Sequence, residues 1–230
     1  MGKLKNLIFK ITPKKLAIYL VLAPLILFLV HTIFTIALRN ISETTTITAT
    51  ATHMLLGTLF LILFLIISLW LFWLKSTVYS IEKTKLGLTL RWFKMAFIAV
   101  LIFILFNFVT SIIENLEATY LWREDYMYLI YSSSEFINFA GIMIAYPIVC
   151  HYAARAFYVK KNDQSATFVN SLAFTLILIL GAVLAIPFAH KYFSTKKGKN
   201  SEIIVIYAIA FGVVVILFII GIMAAIAGWV

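Results

Sequence analysis

The stretch EIIVIYAIAFGVVVILFIIGIMAAIAGWV, residues 202–230, decides the fold class of this protein. Glu202 is its one charged residue, and an unbroken run of aliphatic, aromatic and glycine residues follows. A helix of about 20 apolar residues crosses the ~30 Å hydrocarbon core of a bilayer. The run therefore predicts a transmembrane helix over residues 203–229.

The composition of the whole chain agrees with this stretch. Of 230 residues, 63% are hydrophobic and 12% are charged, and the mean hydropathy is +1.05. Soluble proteins usually carry about a quarter charged residues. Five further apolar runs are long enough to cross a bilayer, at about 16–38, 50–74, 95–113, 136–157 and 168–189. We expect an all-α integral membrane protein, a polytopic bundle of about six transmembrane helices with short loops, whose residues 16–230 form a single transmembrane domain.

Residues 1–15, MGKLKNLIFKITPKK, carry a different pattern. Leu4, Leu7, Ile8 and Ile11 recur at helical spacing, and lysines occupy the other faces. This pattern is typical of a helix that lies in the interface of a bilayer, with its lysines close to anionic headgroups. We expect an interfacial amphipathic segment here, before Pro13 starts the first span.

Lysine and arginine are enriched in cytoplasmic loops, so their distribution predicts the orientation of the chain. With a cytoplasmic N-terminus, six spans place thirteen of these residues inside and six outside. The count supports cytoplasmic N- and C-termini in a cell membrane. The excess of lysine over arginine, 15 to 4, favours a bacterial inner membrane.

The segment KYFSTKKGKN, residues 191–200, departs from this distribution because it puts four lysines outside. We interpret it as an exception to the rule. A differently placed last hairpin, or a loop that binds something anionic, would also explain it.

Several classes of protein are excluded by the sequence. The net charge of +10 is spread over loops between apolar runs, so no compact basic domain can bind nucleic acid. Cys150 is the one cysteine, which excludes an internal disulfide and any CxxC motif. The chain contains no HExxH, GxSxG or GxxxxGK motif. We therefore predict that it is not an enzyme.

Polar residues cluster in the outer halves of the third and fourth spans. Asn107, Ser111 and Glu114 are spaced i, i+4, i+7 and share one helix face, and Glu135 and Asn138 share another. Polar groups inside a membrane tend to face the bundle interior or a water-filled cavity. These five residues are candidates for an outward-facing vestibule that binds cations. The alternative, which we favour, is that they form hydrogen bonds between helices and to headgroups.

His31 and His53 lie at the adjoining ends of the first two spans. A membrane b-type haem needs two imidazoles at similar depth on facing helices. The pair meets this requirement if the ITATATH run that ends at His53 is already helical. Both histidines are therefore haem-ligand candidates, but lone polar residues near helix ends are commoner, and we expect neither a cofactor nor a metal.

The fourth span contains AYPIVCHYAARAFYVKK, residues 145–161. Pro147 removes one helical hydrogen bond, and His151 and Arg155 follow it on the same face at i+4 and i+8. A kinked helix with these side chains could gate, or bind an anionic group. The interpretation we favour is that Arg155 extends to the inner headgroups, as arginines near helix ends commonly do.

The last span carries pairs of small residues four positions apart, which let helix backbones approach closely. These helix-packing candidates are Ala208, Gly212, Gly221, Ala224, Ala225 and Gly228. The sequence leaves open whether they pack within one chain or between chains.

The absence of a catalytic set, the small residues of the last span and the aromatic loop 115–135 favour one function. We expect a non-enzymatic membrane subunit or scaffold that acts through helix packing and loop contacts in a homo-oligomer or larger complex. Its partners would be the lipid bilayer and other membrane-protein chains or copies of itself. The alternatives are a small channel or transporter that uses the vestibule, and a single-haem b-type cytochrome.

Overall fold

The structure, a computed structural model, describes residues 7–41, 46–117, 124–196 and 198–227, and every regular element in these ranges is a helix. Helix α1 consists of Pro13–Ala17, a π-helical turn Ile18–Leu22, and Ala23–Ile41. Helix α5 likewise consists of Glu124–Phe139, a π-helical turn Ala140–Ala145, and Tyr146–Asn162. The uninterrupted helices are α2 Thr46–Tyr79, α3 Lys83–Leu86, α4 Leu90–Glu117, α6 Phe168–His190 and α7 Asn200–Ile226.

Five helices in the described ranges are long and apolar enough to cross a membrane. Their apolar stretches are Pro13–Phe34, Leu61–Tyr79, Leu90–Ser111, Ser132–Asn162 and Asn200–Ile226. They correspond to the first four predicted spans and to the sixth. Within the fifth predicted span, the apolar stretch of described residues is the shorter Phe168–Gly181. The structure confirms an α-helical membrane protein, and the number of six spans stays a prediction.

Both π-helical turns end two residues before a proline, Pro24 in α1 and Pro147 in α5. Proline has no backbone N–H, and its ring clashes with the carbonyl four residues earlier. In a π-helical turn the hydrogen bonds reach one residue further back, as in the bond from the Tyr146 N–H to the Gly141 carbonyl. The wider turn lets each helix continue through its proline.

The chain divides into two compact units, and the first contains Met1–Ser76 and Gly181–Val230. The beginnings of α1 and α7 pack together in this unit, where Ala17, Ile203 and Ile206 form a buried cluster. Helix α7 contacts all three pieces of α1. The two helices therefore start at the same end of the unit and run parallel.

Residues 9–11 and 190–195 meet at that same end. The Ser194 Oγ donates a hydrogen bond to the Ile11 carbonyl at 2.9 Å, and the Thr195 N–H donates to the Phe9 carbonyl at 2.9 Å. Atoms so close cannot lie on opposite sides of a bilayer. Residues 9–11 and 190–195 therefore share a side, unlike the expectation that put residues 1–15 inside and residues 191–200 outside, and which side they share stays a prediction.

The expected interfacial helix lies partly outside the described residues, since residues 1–6 are not among them. Residues 7–9 form one helical turn. Ile8 and Phe9 are 2% and 7% exposed, whereas Leu7 is 56% exposed. The described part of this segment thus packs two of its apolar side chains against the protein.

The second unit contains Thr77–Leu180, and α4 packs closely against α5 within it. Gly141 makes this approach possible. A Cβ atom there would lie 2.5 Å from Cγ of the Phe103 ring, which is far inside van der Waals contact.

A second set of contacts in this unit joins the α2–α4 connection to the end of α5. Gly87 ends α3 with φ +65°, a conformation that side chains with a Cβ rarely adopt. The Tyr152 hydroxyl donates to the Thr89 carbonyl at 2.6 Å, and the Ala166 N–H donates to the Lys85 carbonyl at 2.9 Å.

Lys85 and Asp163 form a surface ion pair across the same connection, with 2.9 Å between Nζ and Oδ1. Their hydrogen bond raises the pKa of the Lys85 ammonium and lowers the pKa of the Asp163 carboxyl. Both groups are exposed, so water screens the pair and its contribution to stability is small.

Candidate functional site

The most specific polar contact inside the membrane joins α4 to α5. The Asn107 Nδ2 donates to the Asn138 Oδ1 at 2.8 Å and to the Phe103 carbonyl, in its own helix, at 2.9 Å. The Asn138 Nδ2 donates to the Ser134 Oγ at 3.1 Å. Both donor hydrogens of the Asn107 amide and the oxygen of Asn138 are thus used within the protein.

Of the other three vestibule candidates, the structure describes the side chains of two. Ser111 is half-buried one turn beyond Asn107, and Glu135 is exposed near the Asn138 end of the cluster. The side chain of Glu114 lies outside the described residues. The structure therefore brings Asn107 and Asn138 together and leaves the five-residue vestibule untested.

Arg155 departs from the interpretation favoured from the sequence. Its side chain is 5% exposed, and Nη1 donates to the Leu86 carbonyl at 2.7 Å. The Nε atom is buried without an acceptor among the described residues. Arg155 does not extend to the headgroups, because it fills the space beside Gly87, where a Cβ would lie 3.3 Å from Nη1.

His151 lies one turn before Arg155 and contacts α6. Its Nδ1 lies 2.9 Å from the Thr175 Oγ1, and its ring centroid lies 5.1 Å from that of Phe168. Thr175 is buried and also donates to the Ser171 carbonyl. Because Thr175 spends its hydrogen there, His151 Nδ1 carries the hydrogen of the bond between them. His151, which follows Pro147 on the same helix face, thus joins α5 to α6.

The first unit contains a buried hydrogen-bond chain that no pattern in the sequence indicates. Trp73 Nε1 donates to His190 Nδ1 at 3.0 Å, and His190 Nε2 lies 2.9 Å from the Ile11 carbonyl. Trp73 and His190 are both fully buried. Phe193 packs edge-on against Trp73, with ring centroids 6.1 Å apart.

This geometry fixes the protonation of His190. The indole N–H of Trp73 can only donate, so Nδ1 must accept, and Nε2 must carry the hydrogen that Ile11 accepts. The imidazole is therefore neutral. His190 is the last residue of α6, and burial lowers its pKa, which agrees with this state.

The structure leaves the haem-ligand pair untested. His31 is half-buried on α1, and the side chain of His53 lies outside the described residues. His190 has both ring nitrogens engaged. Within the described ranges, no group of three or more His, Cys, Asp or Glu residues could hold a metal ion.

The small residues of α7 fall on both buried and open surfaces. Ala224 is 2% exposed and packs within the chain. Ala208, Gly221 and Ala225 are exposed, and a Cβ at Gly212 or Gly221 would meet nothing within 4 Å. Gly228 lies outside the described residues. These glycines therefore leave part of the α7 surface without a packing partner in the described part of this chain.

No protein-family description matches the chain, and comparisons with curated proteins and with solved structures find no match.

Proposed function

We propose that the protein is a non-enzymatic integral membrane subunit that acts through helix packing in a homo-oligomer or larger membrane complex. The observation that carries this proposal is the hydrogen bond between Asn107 and Asn138. A hydrated pore needs such amides to face water, whereas here they bind each other and neighbouring groups of α4 and α5.

Two further polar contacts support the proposal in the same way. The Thr175 contact holds His151 between α5 and α6, and the Tyr207 hydroxyl on α7 donates to the Leu184 carbonyl of α6. Each contact uses a polar side chain to join two helices. Such bonds stabilise membrane bundles by about 0.6 kcal/mol each, so they act as structural contacts.

The open surface of α7 supports contact with another chain. Gly212 and Gly221 leave space where a Cβ would meet nothing, and the adjacent Phe211 and Phe218 are 70% and 68% exposed. Lipid would cover this surface in a monomer. In the proposed subunit, a second copy or another membrane chain covers part of it.

Disulfide cross-linking in native membranes tests the homo-oligomer directly. Gly212→Cys and Phe211→Cys would be made in a Cys150→Ala background and oxidised, with buried Ala210→Cys as the matched control. We expect a dimer band from Gly212→Cys or Phe211→Cys and none from Ala210→Cys. A complex with other chains is tested by extracting the protein from its own membranes in mild detergent and measuring the mass of the extracted particle.

A monomer in both measurements contradicts the proposal. Ion flux into liposomes that contain the purified protein would then favour the channel. In that case the Asn107→Leu/Asn138→Leu double variant should abolish the flux, whereas a subunit keeps its assembly in the same variant.

The lysine-rich, arginine-poor composition also supports a bacterial inner membrane as the location of the proposed subunit. Membrane fractionation of a bacterial host that expresses the chain, followed by detection in the inner-membrane fraction, checks this assignment.

A further inference from the structure

Two lysine-rich segments that are far apart in the sequence meet at one end of the first unit. Residues 9–11 and residues 190–195 are joined by the Ser194 and Thr195 hydrogen bonds and by the bond from His190 to Ile11. The ring of Phe9 stacks on those of His190 and Phe193, at centroid distances of 6.2 and 5.7 Å. Pro13 lies under Gly198, where a Cβ would be 3.1 Å from the proline ring. The two segments therefore form one surface.

This surface is strongly basic. Its lysines, which we call the lysine surface, are Lys10, Lys14, Lys15, Lys191, Lys196 and Lys199. All are exposed except Lys191, which is half-buried and donates to the Asn200 Oδ1. Glu202, in the first turn of α7, is the one acid in residues 7–17 and 190–206. These two segments therefore carry six described lysines against one acid.

The distribution of charge along the chain becomes more regular when the two segments share a side. Moving the four lysines of residues 191–199 to the cytoplasmic side changes the partition from thirteen against six to seventeen against two. Arg39 and Arg123 are the two that remain outside. A bias of this size is what the positive-inside rule predicts for a correctly assigned orientation.

We propose that the lysine surface faces the cytoplasmic leaflet and binds the phosphate groups of anionic phospholipids. Lysines beside an anionic leaflet are attracted by its negative surface potential, and the attraction extends about one Debye length. The segments are joined by hydrogen bonds and ring contacts, so six cations are presented together at the start of α1 and α7. The inference does not depend on the proposed subunit function.

The arrangement also sets the number of crossings. Helices α1 and α7 start at the same end, so an even number of complete crossings separates their starts. The apolar stretches of α1, α2, α4 and α5 supply four. Helix α6 then does not complete a crossing, and the end of α7 near Ile226 lies on the outer side.

Thermal unfolding in lipid–detergent micelles tests the lipid assignment. Phosphatidylglycerol should raise the midpoint, and the same amount of phosphatidylcholine should not. The variant Lys191→Gln/Lys196→Gln/Lys199→Gln should lose most of this rise. The matched control Lys83→Gln/Lys94→Gln/Lys160→Gln removes three exposed lysines of the second unit and should keep it.

Three results in this experiment would overturn the proposal. Equal loss in both triple variants would show that any lysine serves, and an equal rise with inorganic phosphate alone would show that the surface binds a free anion instead of a lipid. Unchanged midpoints with both lipids would also exclude it.

Cysteine labelling tests the side of the membrane independently. Thr195→Cys and Lys83→Cys would each be made in a Cys150→Ala background and exposed to a membrane-impermeant maleimide. We expect both to stay unlabelled in intact cells and to react after permeabilisation. Labelling of Thr195→Cys alone in intact cells would place residues 191–199 outside and refute the proposal.

Discussion

His190 is the residue on which the first unit depends most directly. Its two ring nitrogens bind Trp73 and Ile11, which are otherwise remote in the sequence. Removing the imidazole leaves a buried indole N–H without an acceptor, and an unsatisfied buried donor costs about 1–3 kcal/mol. His190→Leu should therefore lower the free energy of unfolding by about that amount, measured by reversible unfolding in mixed micelles. Trp73→Phe is the comparison: it leaves the acceptor His190 Nδ1 without a donor, and it should lower the free energy of unfolding by less.

The neutral state of His190 also predicts a pH dependence. Its pKa in the folded protein is lowered by burial, so the unfolded chain binds the proton more readily. The stabilisation should be complete above the ordinary imidazole pKa of about 6.5 and should fall as the pH drops below it. Thermal midpoints between pH 8 and pH 5 measure this, and His190→Gln should flatten the profile. An equal slope in His190→Gln would assign the effect to other groups.

The Asn107–Asn138 pair predicts energetic coupling between two residues of neighbouring helices. Asn107→Leu or Asn138→Leu alone removes the bond between the two amides, leaves one polar atom of the other amide without its partner, and should cost about 1–2 kcal/mol. The double variant removes both amides, so it should cost less than the sum of the two by about 0.5–1.5 kcal/mol. A double-mutant cycle in mixed micelles measures this. Additive costs, within about 0.3 kcal/mol, would mean that the two amides do not interact.

At the scale of helices, two glycines that both lie in apolar helical segments differ in the space around them. Gly141 lies against the Phe103 ring, whereas Gly212 faces open space. Gly141→Ala should destabilise the protein by about 1–3 kcal/mol, because the rigid ring cannot move without shifting α4. Gly212→Ala should be neutral or stabilising by up to about 1 kcal/mol, because alanine favours a helix.

The cause of the Gly141 effect can be checked in a second background. In Phe103→Ala the space beside Gly141 is free, so adding Gly141→Ala there should cost almost nothing further. If Gly141→Ala costs the same with and without the ring, the close approach of α4 and α5 is not its cause.

At the scale of the whole molecule, the parallel start of α1 and α7 predicts the side on which α7 ends. Alkaline phosphatase fused after residue 227 should be active in a bacterial host, because the enzyme folds only outside the cytoplasm, and green fluorescent protein at the same site should be dark. The same reporters fused after Ser80, in the connection between α2 and α3, should give the reverse. A bright fluorescent fusion after residue 227 would place the end of α7 in the cytoplasm, as the sequence predicts, and would contradict a parallel start of α1 and α7.

Part of the candidate site could be read from the sequence. Asn107 and Asn138 stand out because polar residues are rare in apolar spans. Counting along each helix also places the two residues at a similar depth in the membrane. Their hydrogen bond could not be read, because it depends on how α4 and α5 rotate about their axes. Arg155 was misjudged for a similar reason, since only the folded connection at Leu86 and Gly87 supplies a carbonyl that draws the guanidinium inward.

The sequence by itself determined the fold class and the positions of the long apolar helices. Each depends on the residues of one segment and on the thickness of a bilayer, so no distant contact is needed. Only the tertiary structure decided which segments share a side and which polar groups meet. Trp73 and His190 are separated by 117 positions, and Ile11 and Ser194 by 183. Contacts over such distances follow from the packing of the whole bundle, because no local pattern of charge or hydrophobicity encodes them.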